Sequence, residues 1–250
     1  MKHKLLTAIV LGFFAFTANA QTADEIIANY FENTGGLEKW KTIEGMKMSA
    51  KLNQGGMEIP LEIIQLKDGR QATIINLQGR VIKQGVFDGT DLWSDNFMTQ
   101  KAEKSDAETT ENFKLSIGDF PDVFLNYKAK GYTVELAGKE TIEGTETFKV
   151  KLTKKQIKVD GQLTDDVSFY YFDTENFVPL VVEAEVKSGP AKGQVSQIKF
   201  SDYQEVSNGV LMAFSLAQGV KGGPSQPIAV TAIEVNPAVD AATFKYPEGQ

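Results

Sequence analysis

The chain has no cysteine, and its single histidine is His3. Beyond residue 20, therefore, neither a thiolate nor an imidazole is available. That excludes Ser-His-Asp and Cys-His nucleophilic catalysis, histidine acid–base chemistry, His/Cys zinc sites and disulfides together. Basic side chains are also scarce. Lys plus Arg total 26 against 33 Asp plus Glu, a net charge of −7, and the only arginines are Arg70 and Arg80. Without a basic stripe, nucleic acid is not an expected partner, nor is adsorption to anionic headgroups a main mode. No apolar run reaches transmembrane length. Carboxylate pairs, oxygen-ligand metals and lysine chemistry remain open.

Residues 1–20, MKHKLLTAIVLGFFAFTANA, begin with Lys2 and Lys4, continue with an apolar run from Leu5 to Phe16, and end in Ala18-Asn19-Ala20. This is the layout of a cleaved secretory signal peptide. No cysteine follows the run, so the expectation is export without a lipid anchor. Residues 21–250 show no linker, repeat or low-complexity tract, and read as one domain.

In that remainder, Thr22 and Glu25 have capping-box spacing. Ile26, Ile27, Tyr30 and Phe31 share a helical face that Gly35-Gly36 ends. LEKWKTI reads as a short second turn returning Trp40 to the core. From about residue 43 the apolar period becomes two. Met46, Met48, Ala50 and Leu52 form one row; Met57, Ile59, Leu61 and Ile63 form the next. Ile64 and Leu66 then take the opposite parity, which with Pro60 suggests an edge strand or a bulge. Turn signals follow at Asp68-Gly69, Gln78-Gly79, Asp88-Gly89, Glu143-Gly144, Asp160-Gly161, Asp173 to Asn176, and Asn208-Gly209. Rows such as Phe148, Val150, Leu152 and Val210, Met212, Phe214, Leu216 predict antiparallel sheet with one face covered and one wet. Using the turns as boundaries gives about 10–12 strands.

Residues 105–131 break the strand pattern. Ser105 and Glu108 suggest a second capping box, Phe113 and Ile117 share a helical face, and 122–130 reads as another short helix. Phe113, Phe120, Phe124 and Tyr127 make this insert aromatic. Such a face must be buried, and the concave side of a sheet is the available place.

The stretch VFDGTDLWSDNF, 86–97, gathers Asp88, Asp91, Asp95 and Asn96. Their spacing does not match a calcium loop. Nothing selects two of them as a glycosidase pair. Turn chemistry favours a hairpin corner at Asp88-Gly89. Asp165-Asp166 and the lysines around 151–158 read as solvated faces. Among Phe169 to Phe172, core packing outweighs lining a ligand cavity, whereas Met46, Met48, Met57 and Met212 suit either.

Taken in order, the early helix with Gly35-Gly36 and Trp40, DGTDLW at 88–93, YYFDTENFVPL at 170–180, DYQEVSNGVLM at 202–212 and VNPAVDAATFKYP at 235–247 make the chain resemble the LolA-like outer-membrane lipoprotein-sorting proteins. The resemblance covers 22–247. It implies a mainly β protein with a few helices: an incomplete, strongly curved antiparallel β-barrel, or half-barrel, with a helical lid. It also implies a periplasmic carrier of lipoprotein acyl chains or a related lipid. Such a carrier is monomeric, works without catalysis, cofactor or metal, and has membrane-protein donor and acceptor partners. A peptide- or protein-sensing module on the same fold is the alternative. On this reading the cavity and lid residues are Trp40, Met46, Met48, Phe87 and Trp93, with Phe113, Phe120, Phe124, Phe169 and Tyr171. In well-studied carriers an arginine bonds to the lid; Arg70 and Arg80 are the candidates here.

Overall fold

The computed structural model describes residues 21–247, and the leader expected at 1–20 lies outside them. The first helix, α1 (Ala23–Asn33), starts where its sequence dictates. Thr22 caps the backbone of Glu25, and the Glu25 carboxylate returns to the Thr22 amide at 2.8 Å. Ile26, Ile27, Tyr30 and Phe31 are all buried. Each such apolar side chain contributes about 1.5–3 kcal/mol on leaving water. The short α2 (Leu37–Lys41) follows and buries Trp40.

The rest is built on one sheet. A first meander runs outward from the centre through β1 (Gly45–Gln54), β2 (Met57–Leu66), β3 (Gln71–Leu77), β4 (Arg80–Phe87), β5 (Leu92–Asp95) and β6 (Ala102–Lys104). After α3 (Ala107–Ser116) the chain resumes at the far edge with β7 (Thr133–Ile142) and β8 (Thr145–Thr153). A side hairpin, β9 (Ile157–Val159) and β10 (Gln162–Thr164), precedes the return through β11 (Val167–Asp173), β12 (Pro179–Glu185), β13 (Val195–Glu205), β14 (Leu211–Val220) and β15 (Ser225–Val235). Strand β15 pairs antiparallel with β1, so the sheet has 13 strands in the order β6-β5-β4-β3-β2-β1-β15-β14-β13-β12-β11-β8-β7. It is open and curved, an incomplete barrel with few helices. The strands are shorter and more numerous than the turn signals alone suggest, because β5, β6, β9 and β10 have only three or four residues.

The turn dipeptides fall where hairpins form. At Gln78-Gly79, Glu143-Gly144 and Asp160-Gly161 both central residues take positive φ, as the tightest hairpin turns require. Asp88-Gly89 differs: the Asp88 carboxylate accepts the Thr90 and Asp91 amides, both at 2.8 Å, and only Gly89 has positive φ.

The concave face holds the main core. Tyr30, Phe31 and Trp40 pack there on Phe148, Val150, Leu152 and Phe172. The convex face is not uniformly wet. Ile64, Ala72, Val86 and Trp93 form a second cluster, covered by Phe244 from the C-terminal segment. Here the parity expectation for β2 needs correcting. Its register against β1 is unbroken, so no bulge exists; Ile64 and Leu66 are apolar because the C-terminal segment covers that side. Pro60 lies where β2 pairs with β1 but not yet with β3, a local edge that tolerates the missing N–H. Glu183 is also buried on the convex face. It accepts from Tyr171 at 2.9 Å and Gln197 at 2.8 Å, and pairs with Lys221 at 2.9 Å.

Candidate functional site: an apolar cavity beneath the edge-to-edge connection

The two free edges of the sheet, β6 and β7, are consecutive in the chain. Their connection, 105–132, must therefore cross the open side of the curved sheet. The aromatic insert is that connection. Its helix α3 begins one residue later than the expected cap: Asp106, not Ser105, accepts the Thr109 amide at 2.7 Å. Glu108 does not close a box. Its carboxylate instead accepts the Asp160 and Gly161 amides of the β9–β10 turn at 2.9 and 2.8 Å. Asn112 forms two hydrogen bonds to the Lys158 backbone at 2.6 and 2.9 Å. The helix expected at 122–130 is instead a series of turns, interrupted by positive φ at Asn126.

Between this connection and the concave face lies a cavity of about 480 Å³, within the range of small-molecule sites. Trp40 and Met48 line it from one side, with Phe113, Ile117 and Phe120 from the connection. Val182, Ile198, Phe200, Met212 and Leu216 complete the sheet wall. Trp40 is fixed from behind: its Nε1 donates to Thr34 Oγ1 at 3.0 Å.

Gln65, Gln71 and Ser116 contribute polar groups to the wall, and its carboxylates lie with Tyr30 and the connection. Tyr30 donates its hydroxyl to Asp122 Oδ2 at 2.8 Å, and the Phe124 amide donates to Asp122 Oδ1 at 2.8 Å. Burial raises the Asp122 pKa against the opposing pull of these bonds. Tyr170 and Tyr203 also line the cavity, and burial pushes both phenols upward. Tyr203 donates to the Pro179 carbonyl at 2.6 Å. Among the described residues, the Tyr170 hydroxyl forms no hydrogen bond. Asp119 sits between two lysines, Lys130 at 3.2 Å and Lys154 at 3.3 Å. Burial lowers the Lys130 pKa. It acts on Lys154 too, but Asp166 and Asp119 outweigh it there and hold that amine above its ordinary value.

Of the residues the sequence suggested for a cavity, Trp40, Met48, Phe113 and Phe120 come together around it. The other six sit elsewhere. Met46 packs on the main core, one pair along the strand from Met48. Phe87 supports the lid from below, its ring 4.8 Å from that of Phe113. Phe124 fills the space between the connection and the sheet, against Tyr170 and Phe172. Trp93 belongs to the convex cluster, its Nε1 donating to the Phe244 carbonyl at 3.1 Å. Phe169 and Tyr171 face outward under Lys149. The sequence reading did not place Tyr30, Asp122, Phe200 or Tyr203 at a site. The even spacing of Ile198 and Phe200 marked a strand face, but nothing local marked Asp122.

The acidic corner has structural duties. Asp91 pairs with Lys104 at 2.6 Å, Asp95 accepts the Lys83 amide at 2.7 Å, and Asn96 accepts the Met98 and Thr99 amides. No group of three candidate metal ligands occurs among the described residues. Arg70 binds Asp68 at 2.8 Å and stacks over Phe244, so it braces the convex side and not the lid.

No family model matches the sequence, and no curated protein matches it. Solved structures do. A LolA superfamily protein from Nitrosomonas europaea superposes with a TM-score of 0.53 at 14% identity, over 90% of this chain and 98% of that one. A DUF1329 family protein from Desulfovibrio piger gives 0.52 at 14%, over 88% and 97%. A domain named for outer membrane lipoprotein sorting, from Vibrio parahaemolyticus, gives 0.50 at 13%, over 88% and 94%. At such identities the likeness is one of architecture: this chain has the open half-barrel fold of LolA superfamily proteins.

Proposed function

We propose that this protein is a periplasmic carrier. It takes acyl chains of lipoproteins, or a related amphiphilic lipid, into its cavity and helps deliver them to the outer membrane. The observation that carries this reading is the apolar cavity under the connection between the two sheet edges. Each methylene withdrawn from water contributes about 0.8 kcal/mol, so an aliphatic chain binds there without any catalytic group. Fold likeness to a domain named for lipoprotein sorting supports the cargo class. The leader-like residues 1–20 support the compartment. The reading assigns no catalysis, cofactor or metal to the protein.

The test is in-cell photo-crosslinking with a reactive residue at Phe113, which lines the cavity, and a control at Trp93, which does not. Acylated adducts at position 113 and none at position 93 are expected. Adducts with proteins alone, at either position, would replace the carrier with a protein-sensing module.

A further inference from the structure

The cavity wall has a charge asymmetry. Among the described residues, its only charged side chains are Asp119 and Asp122, and neither lysine nor arginine lines it. The two acids differ. Asp119 is neutralised by Lys130 and Lys154. Lys130 is held by Asp119 and by the Gly118 and Val123 carbonyls, so it acts on Asp122 through space and not by a direct ion pair. Among the described residues, Asp122 has no cation within ion-pair distance. Buried charges are ordinarily paired, because an isolated carboxylate in a low-dielectric wall is costly. On the same wall the Tyr170 hydroxyl forms no hydrogen bond among the described residues, and Tyr30 fixes the Asp122 carboxylate at 2.8 Å.

We infer that the cavity selects amphiphiles whose polar end carries a cationic nitrogen, an amine or ammonium seated against Asp122 and Tyr170, and that it disfavours carboxylate or phosphate ends there. The inference rests on the carrier reading and deepens it: the tail supplies affinity and the nitrogen supplies selection. The missing partner of Asp122 is then the cargo. A cation at that position stabilises the ionised carboxylate that burial opposes. An anion meets Asp122 with no basic side chain on the wall to receive it. Tyr30 and Tyr170 line the same cavity, and aromatic faces suit a cation over an anion.

The experiment is calorimetric titration of the full chain from residue 21 with three matched probes at neutral pH: dodecylammonium, dodecanol and dodecanoate. Dodecylammonium is expected to bind about tenfold more tightly than dodecanoate, the size of one charged hydrogen-bonded contact. In D122N that ratio is expected to fall to within about twofold, with an unchanged circular dichroism spectrum reporting an intact fold. The protein is acidic overall, so the wild-type ratio is measured again at high salt; surface attraction is screened there and a buried contact is not. Equal binding of the two ionic probes, a ratio that vanishes in salt, or a ratio that survives in D122N overturns the inference. The wild-type ranking decides it even if D122N fails to fold. If no probe binds, dodecanol included, it is the carrier reading that fails.

Discussion

Trp40 donates to the hydroxyl of Thr34, and that hydroxyl donates in turn to the Tyr30 carbonyl at 2.7 Å. One threonine, fully enclosed, thus joins the end of α1 to a wall of the cavity. Its carbonyl also receives the Leu211 amide at the start of β14. Thr34→Val keeps the shape and removes the hydroxyl, stranding the indole N–H. The expected cost is about 1–3 kcal/mol, read as a lower urea midpoint with an unchanged slope. A midpoint within error of wild type would show that the indole finds another partner.

The two tryptophans lie on opposite faces of the sheet, which separates their reports. Trp40 lines the cavity and Trp93 sits under Phe244. In Trp93→Phe, dodecanol should still shift the remaining fluorescence; in Trp40→Phe it should not. The converse pattern would place the ligand on the convex side. Phe244→Ala should destabilise by about 3–5 kcal/mol as a core truncation, with little effect on that shift.

The lid is fastened by polar contacts. Glu108 and Asn112 hold α3 to the β9–β10 hairpin, and Thr110 is the only buried residue of α3. Such exposed bonds are individually weak, so E108A with N112A is expected to lower global stability by about 1 kcal/mol. Hydrogen exchange should nevertheless rise across 107–131, and probe dissociation should quicken. Unchanged exchange there would make the hairpin irrelevant to opening.

Two buried acids should tilt the stability–pH profile in opposite directions. Asp122 has its pKa raised by burial, above its ordinary 3.8. The native state then holds that proton more tightly than the unfolded chain. Stability from this group is complete below the unfolded value and declines as pH rises through the higher folded one. Burial opposes ionisation of Glu183 as well, but Lys221, Gln197 and Tyr171 outweigh it and hold its pKa below the ordinary 4.5. Its contribution is present above the unfolded value and is lost as pH falls through the folded one. D122N should flatten the decline on the higher-pH side, and E183Q should flatten the loss in acid. Urea midpoints between pH 3 and 8 check both; parallel profiles for the two variants would refute the assignment.

The sequence showed the hairpins and the concave rows because both are local. Asp160-Gly161 needs only its own backbone geometry, and Phe148, Val150 and Leu152 need only period two. It did not show which aromatic faces which side. Tyr170 and Tyr171 are neighbours of one kind, yet one lines the cavity and the other binds Glu183 outside. Both faces of that strand are covered, so hydrophobicity loses its directional meaning. Trp93 was drawn toward the cavity for the same reason. Asp122 was hidden differently. In a stretch that reads as a helix start, an aspartate looks like a cap, and only the fold brings Tyr30 to it from 92 positions away.

The central seam of the sheet carries a kinetic consequence. It joins β1 to β15, the first strand to the last, and beside it Glu44 donates to Asn236 across 192 positions. Contacts so distant in sequence form late, because the whole intervening chain must be confined first. Until β15 arrives, the first meander has an open edge at β1, a surface prone to pairing with other chains. A chain interrupted anywhere before residue 225 would therefore be expected to aggregate, not to persist as a half-sized carrier.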